Sequence, residues 1–545
     1  MPKVVTIEQM AALEASACAA GVSHAEMMEL AGHAVCDTIL AHLGDISERK
    51  ILILAGPGSN GGDGLVAARF LAEAGAEVKI YCLRPRDEND TNLKKALDVD
   101  VFVADASNDQ RWRVLTNLLR QADVLVDAIL GTGARTPLTG TAADLLKRVS
   151  RHLTKSKMSL KVAVDCPSGY DCDTGMMDTN MIPADVTVTF GAAKVGQFVF
   201  PGADALGDLV LADIGWPTDM ASLGDLRLDM ASADEVASLL PNRPRNSHKG
   251  TFGTALIVAG SVNYAGAPYL AAAAAYRSGA GLVTVGIPAP IYSTLPMQLP
   301  EATWLLLPSD LGVIAKQGIE VVTESLSRAT AMLLGPGWGT EKTTGEFLQG
   351  LLLGSASSAR EQIGFSGSEP KAGDPGDGKH AVLPNLVLDA DGLKLLSKIE
   401  GWQGLLPSPS VLTPHPGEMA MMTGLQKEEI QYDRTTIARK FAADWGHVLV
   451  LKGAFTIVAS PDGRTTINPF ATSALARAGT GDVLAGLITG FIAQGMDPYE
   501  AAVSGSYVHG MAGELAAEVM GTEQGVLAGD VLNLIPKALA ATARY

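Results

Sequence analysis

Short, wholly apolar runs recur along this chain, and most end in a glycine-rich or acidic turn. Ile51-Leu52-Ile53-Leu54-Ala55, bounded by Gly-Pro-Gly, shows none of the alternation of a half-exposed strand. Such a run predicts a strand buried on both faces of a parallel sheet. Similar runs lie at 78–83, 99–103, 123–129, 161–165, 185–190 and 208–214, separated by stretches of helical period. Strand and helix in alternation predict a doubly wound α/β sheet. Ahead of it, Thr6-Ile7-Glu8-Gln9 has the form of a capping box, so a helix is expected to about residue 19 and a second from about Ser23.

The pattern restarts after Gly215-Trp216-Pro217. The short polar stretch to about Gly224 reads as a linker, which places one domain at 1–223 and a second at 224–545. Runs at 254–260, 282–286, 331–334, 386–389, 410–413 and 447–451 predict another α/β sheet, and Pro268 suits the first turn of an Ala-rich helix at 269–278. The interval 354–383, rich in Ser, Gly, Pro and charge, is expected as a mobile surface insertion.

Length and charge narrow the function. At 545 residues the chain exceeds one ordinary core. Lys plus Arg number 42 against 59 Asp plus Glu, a net charge of −17 that disfavours nucleic acid and anionic membrane surfaces as partners. Glu8, Glu14, Glu26 and Glu29 mark residues 1–44 as amphipathic helix and not a secretory signal, and no apolar run reaches membrane-spanning length. Five cysteines, an odd number without C-x-x-C spacing, read as reduced cytoplasmic thiols and argue against a metal-thiolate centre.

Candidate chemistry sits in the turns. Gly56-Pro57-Gly58-Ser59-Asn60-Gly61-Gly62-Asp63-Gly64 joins the first strand to a helix at 65–71, and its glycines let backbone amides approach a phosphate. Asp127-Ala128-Ile129-Leu130-Gly131-Thr132-Gly133-Ala134-Arg135-Thr136-Pro137 is a second glycine loop headed by a carboxylate, and Asp165-Cys166-Pro167-Ser168-Gly169 ends another strand. Ligands of open α/β sheets bind beyond the carboxyl ends of strands, so the three loops are expected to share one crevice. Asn60, Asp127 and Ser168 bear oxygens suited to a hard cation, with Asp165 left as acid or base. Taken alone, Asp127 or Asp165 reads by default as a helix cap; three such loops in register on one edge favour the site reading.

N-G-G-D-G, D-A-I-L-G-T-G and D-C-P-S-G, in this order behind two helices, resemble the NAD(P)H-hydrate epimerase family over about residues 1–217. The resemblance implies that Ser59, Asn60, Gly61, Gly62, Asp63, Gly131, Thr132, Gly133, Ala134, Arg135, Thr136, Pro137 and Asp165 hold a hydrated nicotinamide dinucleotide. It implies potassium on Asn60, Asp127 and Ser168. Ser59 stands where the family usually has a second Asn.

The second half is organised around Ala476-Arg477-Ala478-Gly479-Thr480-Gly481-Asp482, a glycine turn opening directly into an apolar helix. Unpaired N–H groups at the positive end of such a helix make an anion pocket, and Asp482 at its mouth is placed to take a proton from a hydroxyl. His415, between two prolines, is either a capping histidine or a substrate contact; Glu418 is in reach of a Mg²⁺ carried by phosphate; Lys452 beside a glycine suits phosphate. K-G-T-F-G, Y-A-G-A-P, D-A-D-G-L, T-P-H-P-G-E, K-G-A-F-T and A-G-T-G-D resemble the ribokinase-like superfamily, and within it the ADP-dependent NAD(P)H-hydrate dehydratases, from about residue 226 onward. The resemblance implies hydrate contacts at Ala267, Gly337, His415 and Asp482. It implies the AMP part of ADP on Lys452, Gly453, Ala454, Phe455, Thr456 and Gly481, with Asp482 as base. Ala478 stands where a glycine is common.

Together the two resemblances imply two three-layer αβα domains, Rossmann-like then ribokinase-like, in a bifunctional repair enzyme acting on NAD(P)H hydrate with ADP, K⁺ and Mg²⁺. A cytoplasmic homo-oligomer is expected, a tetramer being one form. The rivals are a ribokinase-like small-molecule kinase with an N-terminal regulatory domain, against which H-P-G-E in place of N-x-x-E argues, and a non-enzymatic binding module.

Overall fold

A computed structural model describes residues 2–134, 136–155, 158–217, 219–363 and 382–543, with 355–363 described in backbone only. The chain divides into two compact units, Pro2–Leu226 and Arg227–Tyr545.

In the first unit Thr6 caps the helix Ile7–Ala19 by accepting from the Gln9 N–H while the Gln9 side chain returns to the Thr6 N–H, and Ser23 with Glu26 repeats the device for His24–Leu43. Among the described residues, seven parallel strands form its main sheet in the order Phe102–Asp105, Glu77–Cys82, Lys50–Ala55, Val124–Ala128, Leu160–Val164, Val186–Phe190, Asp208–Ala212. Successive residues of the strand at 50–55 face opposite ways. Ile51 and Ile53 join a core with Val35, Ile39 and Leu65; Leu52 and Leu54 join another with Leu115, Leu119 and Leu145. Helices therefore cover both faces, as the continuous apolar runs require. Two details differ from expectation. The run at 99–103 yields a strand only at Phe102–Asp105, because Asp100 takes a positive φ of 61° in the turn that closes the preceding helix. The expected linker contains a turn of helix, Ala221–Gly224.

The second unit carries a ten-stranded sheet among the described residues, ordered Leu228–Met230, Thr465–Ile467, Ile457–Ala459, Val448–Leu451, Val411–Leu412, Asn385–Leu388, Ala331–Leu334, Thr254–Val258, Leu282–Pro288, Thr303–Leu307. The strands at 228–230, 303–307, 457–459 and 465–467 were not foreseen. Three of them span three residues each, and Thr465 and Thr466 are polar although buried, so no long apolar run announces those; Trp304-Leu305-Leu306-Leu307 in the fourth was an available signal. Part of the expected insertion is helix, since Lys342–Ile363 runs through residue 354; residues 364–381 lie outside the described residues.

One helix pair sets the geometry of this unit. Thr480–Ala493 packs on Ala267–Arg277 through bare glycines: a Cβ on Gly486 would lie 2.1 Å from the Ala271 carbonyl oxygen, and one on Gly490 2.0 Å from Ser278 Oγ and 2.7 Å from the Ala275 oxygen. Four residues along one helix match four along the other, so the two run parallel and present their N-termini at the same end. Gly486→Ala drives a methyl into backbone and is expected to lower the stability of this unit by about 2 kcal/mol. Urea unfolding measures it, and an unchanged midpoint contradicts the packing described.

Candidate functional site

The strand Lys50–Ala55 lies between Glu77–Cys82 and Val124–Ala128, where the strand order reverses. A crevice opens beyond the carboxyl ends at such a point. Gly56 and Gly131 line it: the Gly56 N–H donates to the Ala128 oxygen at 3.0 Å, and a Cβ on Gly131 would lie 3.3 Å from the Asn60 side chain. The helix expected to begin at 65 already starts at Ser59, with Gly58 as an N-cap that offers no side chain. Ser59 to Asp63 are therefore its first turn, not a loop, and the early N–H groups face the crevice uncapped.

Asn60 is buried, and neither atom of its amide finds a hydrogen-bond partner. Nearby loops supply Asp127, also buried, whose Oδ1 accepts from Ser168 Oγ at 2.6 Å and whose Oδ2 accepts from the Ser168 N–H at 2.8 Å. Ser168 Oγ accepts in turn from the Leu130 N–H at 2.9 Å. Burial raises the Asp127 carboxyl above its ordinary value, against the hydrogen bonds that favour its charge. Asp127 makes no salt bridge among the described residues, so an orphaned amide and an uncompensated carboxylate share one wall.

Asp165 is the strained member of the set, a non-glycine residue at φ 65°. Its Oδ1 receives Lys194 Nζ at 2.5 Å and Thr189 Oγ1 at 3.2 Å, while Gln197 Nε2 donates to its carbonyl at 3.3 Å. Lys194 is fully buried. Burial lifts the Asp63 carboxyl well above the carboxylate range, with Asp165 and Glu14 adding and Lys194 opposing. Glu14 is raised for the same reason, burial first and Asp165 second. Asp63, Glu14, Asp165 and Lys194 thus form one electrostatic cluster; the sequence marks Glu14 only as a polar position of the first helix and does not single out Lys194. A lysine inside Ala192-Ala193-Lys194-Val195 was the available signal. Thr132, Gly133, Ala134, Thr136 and Pro137 continue from Gly131 as a partly exposed flank; Arg135 lies outside the described residues. A groove of about 940 Å³ between 21–30 and 90–95 contains none of these residues, and we place no chemistry there.

In the second unit the order reverses between Thr254–Val258 and Ala331–Leu334. A hollow of about 440 Å³ opens there, lined by Ser261, Tyr264, Gly339, Asp391 and Lys394 among others. Gly337, at φ 65°, meets Ala267: a Cβ on it would lie 2.9 Å from the Ala267 Cβ. The helix pair described above brings Ala267 and Asp482, each in a first turn, to the same end. A Cβ on Gly481 would lie 3.5 Å from Lys452 Nζ and 3.9 Å from Asp389 Oδ2, so Lys452 lies beside the turn at 479–482.

Lys452 Nζ donates to Asp389 Oδ1 at 2.6 Å, and Glu418 Oε2 lies 3.9 Å away. Burial alone would depress its ammonium; Asp389 and Glu418 outweigh that and hold it above the ordinary lysine value. Asp482 is pushed up to about 7, chiefly by burial and then by Asp389, with Lys452 opposing. Arg434, absent from the sequence reading, donates to the carbonyl oxygens of Ala454 and Leu451 and so clamps the turn that carries Gly453 to Thr456.

Two expectations change. His415 is the N-cap of Pro416–Thr423, its Nδ1 accepting from the Gly417 and Glu418 N–H groups at 3.0 and 3.1 Å. That places the ring proton on Nε2, and burial lowers the ring's basicity. The capping reading is therefore realised, and on the other side of the ring Nε2 lies 3.4 Å from Glu418 Oε1. Glu418, expected to reach a metal, instead turns its Oε2 back to the His415 N–H at 2.9 Å. Among the described residues no group of three or more His, Cys, Asp or Glu is placed to hold a metal ion, and no helix is long and apolar enough to cross a membrane.

Comparison with known proteins follows the same division. The family model described as YjeF-related protein N-terminus matches residues 24–196, and the one described as NAD(P)H-hydrate dehydratase matches 255–357 and 378–537. The bifunctional NAD(P)H-hydrate repair enzyme of Moorella thermoacetica is 38% identical over 526 residues, 94% of this chain and 92% of that one. Its counterpart from Thermofilum pendens is 34% identical over 548 residues, 99% and 96% of the two chains. A crystal structure of the ADP/ATP-dependent NAD(P)H-hydrate dehydratase from Bacillus subtilis, co-crystallised with ATP and Mg²⁺, aligns at 29% identity and a TM-score of 0.46 over 58% of this chain and 98% of its own. With identity above 30% along nearly the whole length of both relatives, the chain belongs to the bifunctional NAD(P)H-hydrate repair enzyme family.

Proposed function

We propose that the first unit interconverts the R and S epimers of NAD(P)H hydrate, and that the second dehydrates the S epimer with ADP, releasing AMP and phosphate. The observation that carries this reading is Asp482: a carboxyl poised at about 7, at the mouth of an uncapped glycine turn and beside Lys452. A base near the working pH is half-ready to accept a proton and strong enough to matter.

Hydroxide is a poor leaving group, so the C6 hydroxyl is first converted to a better one. Asp482 takes the hydroxyl proton as the oxygen bonds to the β-phosphorus of ADP and the bond to AMP breaks. The ring nitrogen's lone pair then expels phosphate, and loss of a proton from C5 restores the dihydronicotinamide. The N–H groups of the turn at 479–482 hold the transferring phosphoryl group, Lys452 offsets its charge, and the turn at 452–456 holds the AMP part. Ala267, Gly337 and His415 Nε2 face the hydrate. Mg²⁺ belongs on the nucleotide's phosphates in this reading, since Asp389, Asp391 and Glu418 are already paired with Lys452, Lys394 and the His415 N–H.

In the first unit, opening and reclosing the ring at C6 exchanges the epimers, and both steps move a proton between the hydroxyl and a base. Asp165, held by Lys194, is that base; Ser59 to Asp63 and Gly131 to Pro137 hold the dinucleotide. The orphaned Asn60 amide and the unneutralised Asp127, with Ser168, suit a monovalent cation such as potassium, which would supply charge balance for that wall. The five thiols are free, in keeping with a cytoplasmic setting.

With S hydrate and ADP the chain is expected to regain dihydronicotinamide absorbance and to release AMP and phosphate in equal amounts; ATP-dependent phosphorylation of an unrelated alcohol in its place contradicts the dehydratase. Asp482→Asn should cost a factor of about 10² or more in kcat and leave ADP affinity near wild type. Because the base acts unprotonated, kcat/KM for S hydrate should rise with pH and level off above about 7, and a flat profile through neutrality removes Asp482 from that role. Asp165→Asn should stop consumption of the R epimer while the S epimer is still consumed; equal loss of both undoes the division of labour.

A further inference from the structure

The first unit holds a feature that bears on which hydrate its crevice takes. Gly56, Gly58 and Gly61 stand at G-x-G-x-x-G spacing between the strand Lys50–Ala55 and the helix Ser59–Glu73, and each is glycine for its own reason. A Cβ on Gly56 would lie 1.7 Å from the Ile129 carbonyl oxygen, and one on Gly61 would lie 1.9 Å from the Gly56 oxygen. Both contacts are internal to the fold. A Cβ on Gly58 would meet nothing within 4 Å, which leaves its backbone open to a ligand's diphosphate. In this kind of unit the ribose of the adenosine half lies over the end of the next strand, here Glu77–Cys82. Asp165, at the ring end, follows Leu160–Val164, three strands away on the other side of the glycine turn, about 14 Å at ordinary strand spacing.

The segment that ends Glu77–Cys82 is tied to the glycine turn. The Leu83 N–H donates to the Ala55 oxygen at 2.8 Å, and Arg86 Nη1 donates to the Gly56 oxygen at 2.6 Å while its Nε pairs with Asp90 at 2.6 Å. Dinucleotide units that read a free ribose 2′-hydroxyl place a carboxylate at this strand end; those that read a 2′-phosphate place an arginine nearby. Here the strand itself ends in buried Cys82 and Leu83, and the carboxylates nearest that end are already engaged, Asp90 by Arg86 and Asp105 by Ser107 and Asn108. Arg84 follows, exposed, and makes no hydrogen bond or ion pair among the described residues. Arg86 is committed to holding the turn; Arg84 is not.

We propose that Arg84 binds the 2′-phosphate of NADPH hydrate, so that the first unit epimerises the phosphorylated hydrate in preference to NADH hydrate. This rests on the epimerase reading above and assigns its specificity. A guanidinium meets a phosphate through paired, charge-assisted N–H bonds, and a neutral 2′-hydroxyl returns little of that interaction.

The test uses the full chain and Arg84→Gln with the R epimers of both hydrates, ADP omitted, R-to-S conversion being followed by chromatography. The variant should lose about tenfold in kcat/KM on NADPH hydrate while that on NADH hydrate stays level. Adenosine 2′,5′-bisphosphate should compete with NADPH hydrate in the wild type and much less in the variant. Equal loss on both hydrates, or no loss on either, overturns the role of Arg84 while leaving the epimerase standing. A wild-type chain that converts neither hydrate overturns the epimerase reading and this inference with it.

Discussion

The second unit depends on two helices approaching until backbone touches backbone. Gly486 and Gly490 remove the side chains that would hold Thr480–Ala493 away from Ala267–Arg277. Running parallel, the helices bring two N-termini, with their partial positive charges, to the same end of the pair. Ala267, Gly337, Gly481 and Asp482 are neighbours because of that approach. The same crowding strips water from Asp482 and lifts its carboxyl to about 7, so a packing constraint becomes an acid–base property.

Each unit handles buried charge in its own way. Lys452 answers Asp389 and Glu418 in the second, and Lys194 answers Asp165 in the first. In both, burial still raises carboxylates to which the lysine makes no hydrogen bond: Asp482 at the phosphoryl site against the opposing charge of Lys452, Asp63 in the epimerase crevice against that of Lys194, and Asp127 beside it. A buried carboxyl raised toward neutrality is a proton carrier, and one without a partner is a place for a cation.

Much of this was legible in the chain. Continuous apolar runs announced buried parallel strands, and the glycine-bearing turns after 51–55, 123–129 and 331–334 lay at the switch points because ligand crevices form there. Other parts were not. Lys194 and Arg434 act on residues 29 and 20 positions away in sequence, and no local pattern encodes such a meeting. The Ser59 turn looked like a loop because four glycines in the seven residues 58–64 suppress helical propensity, whereas burial of every residue from Asn60 to Leu65 holds the segment helical. Glu418 was read for its charge, but a capping box three residues after His415 claimed its carboxylate first.

The claim at the centre is that the chain removes the hydrate's oxygen as phosphate, through a turn built to carry a phosphoryl group to the C6 hydroxyl. It is tested most directly by placing heavy oxygen in that hydroxyl, supplying ADP, and analysing the released phosphate by mass spectrometry. Label recovered in inorganic phosphate, one atom for each dihydronicotinamide formed, is the expected result. Unlabelled phosphate with the heavy oxygen in water would mean that ADP is hydrolysed separately and that the turn at 479–482 does not do the chemistry assigned to it.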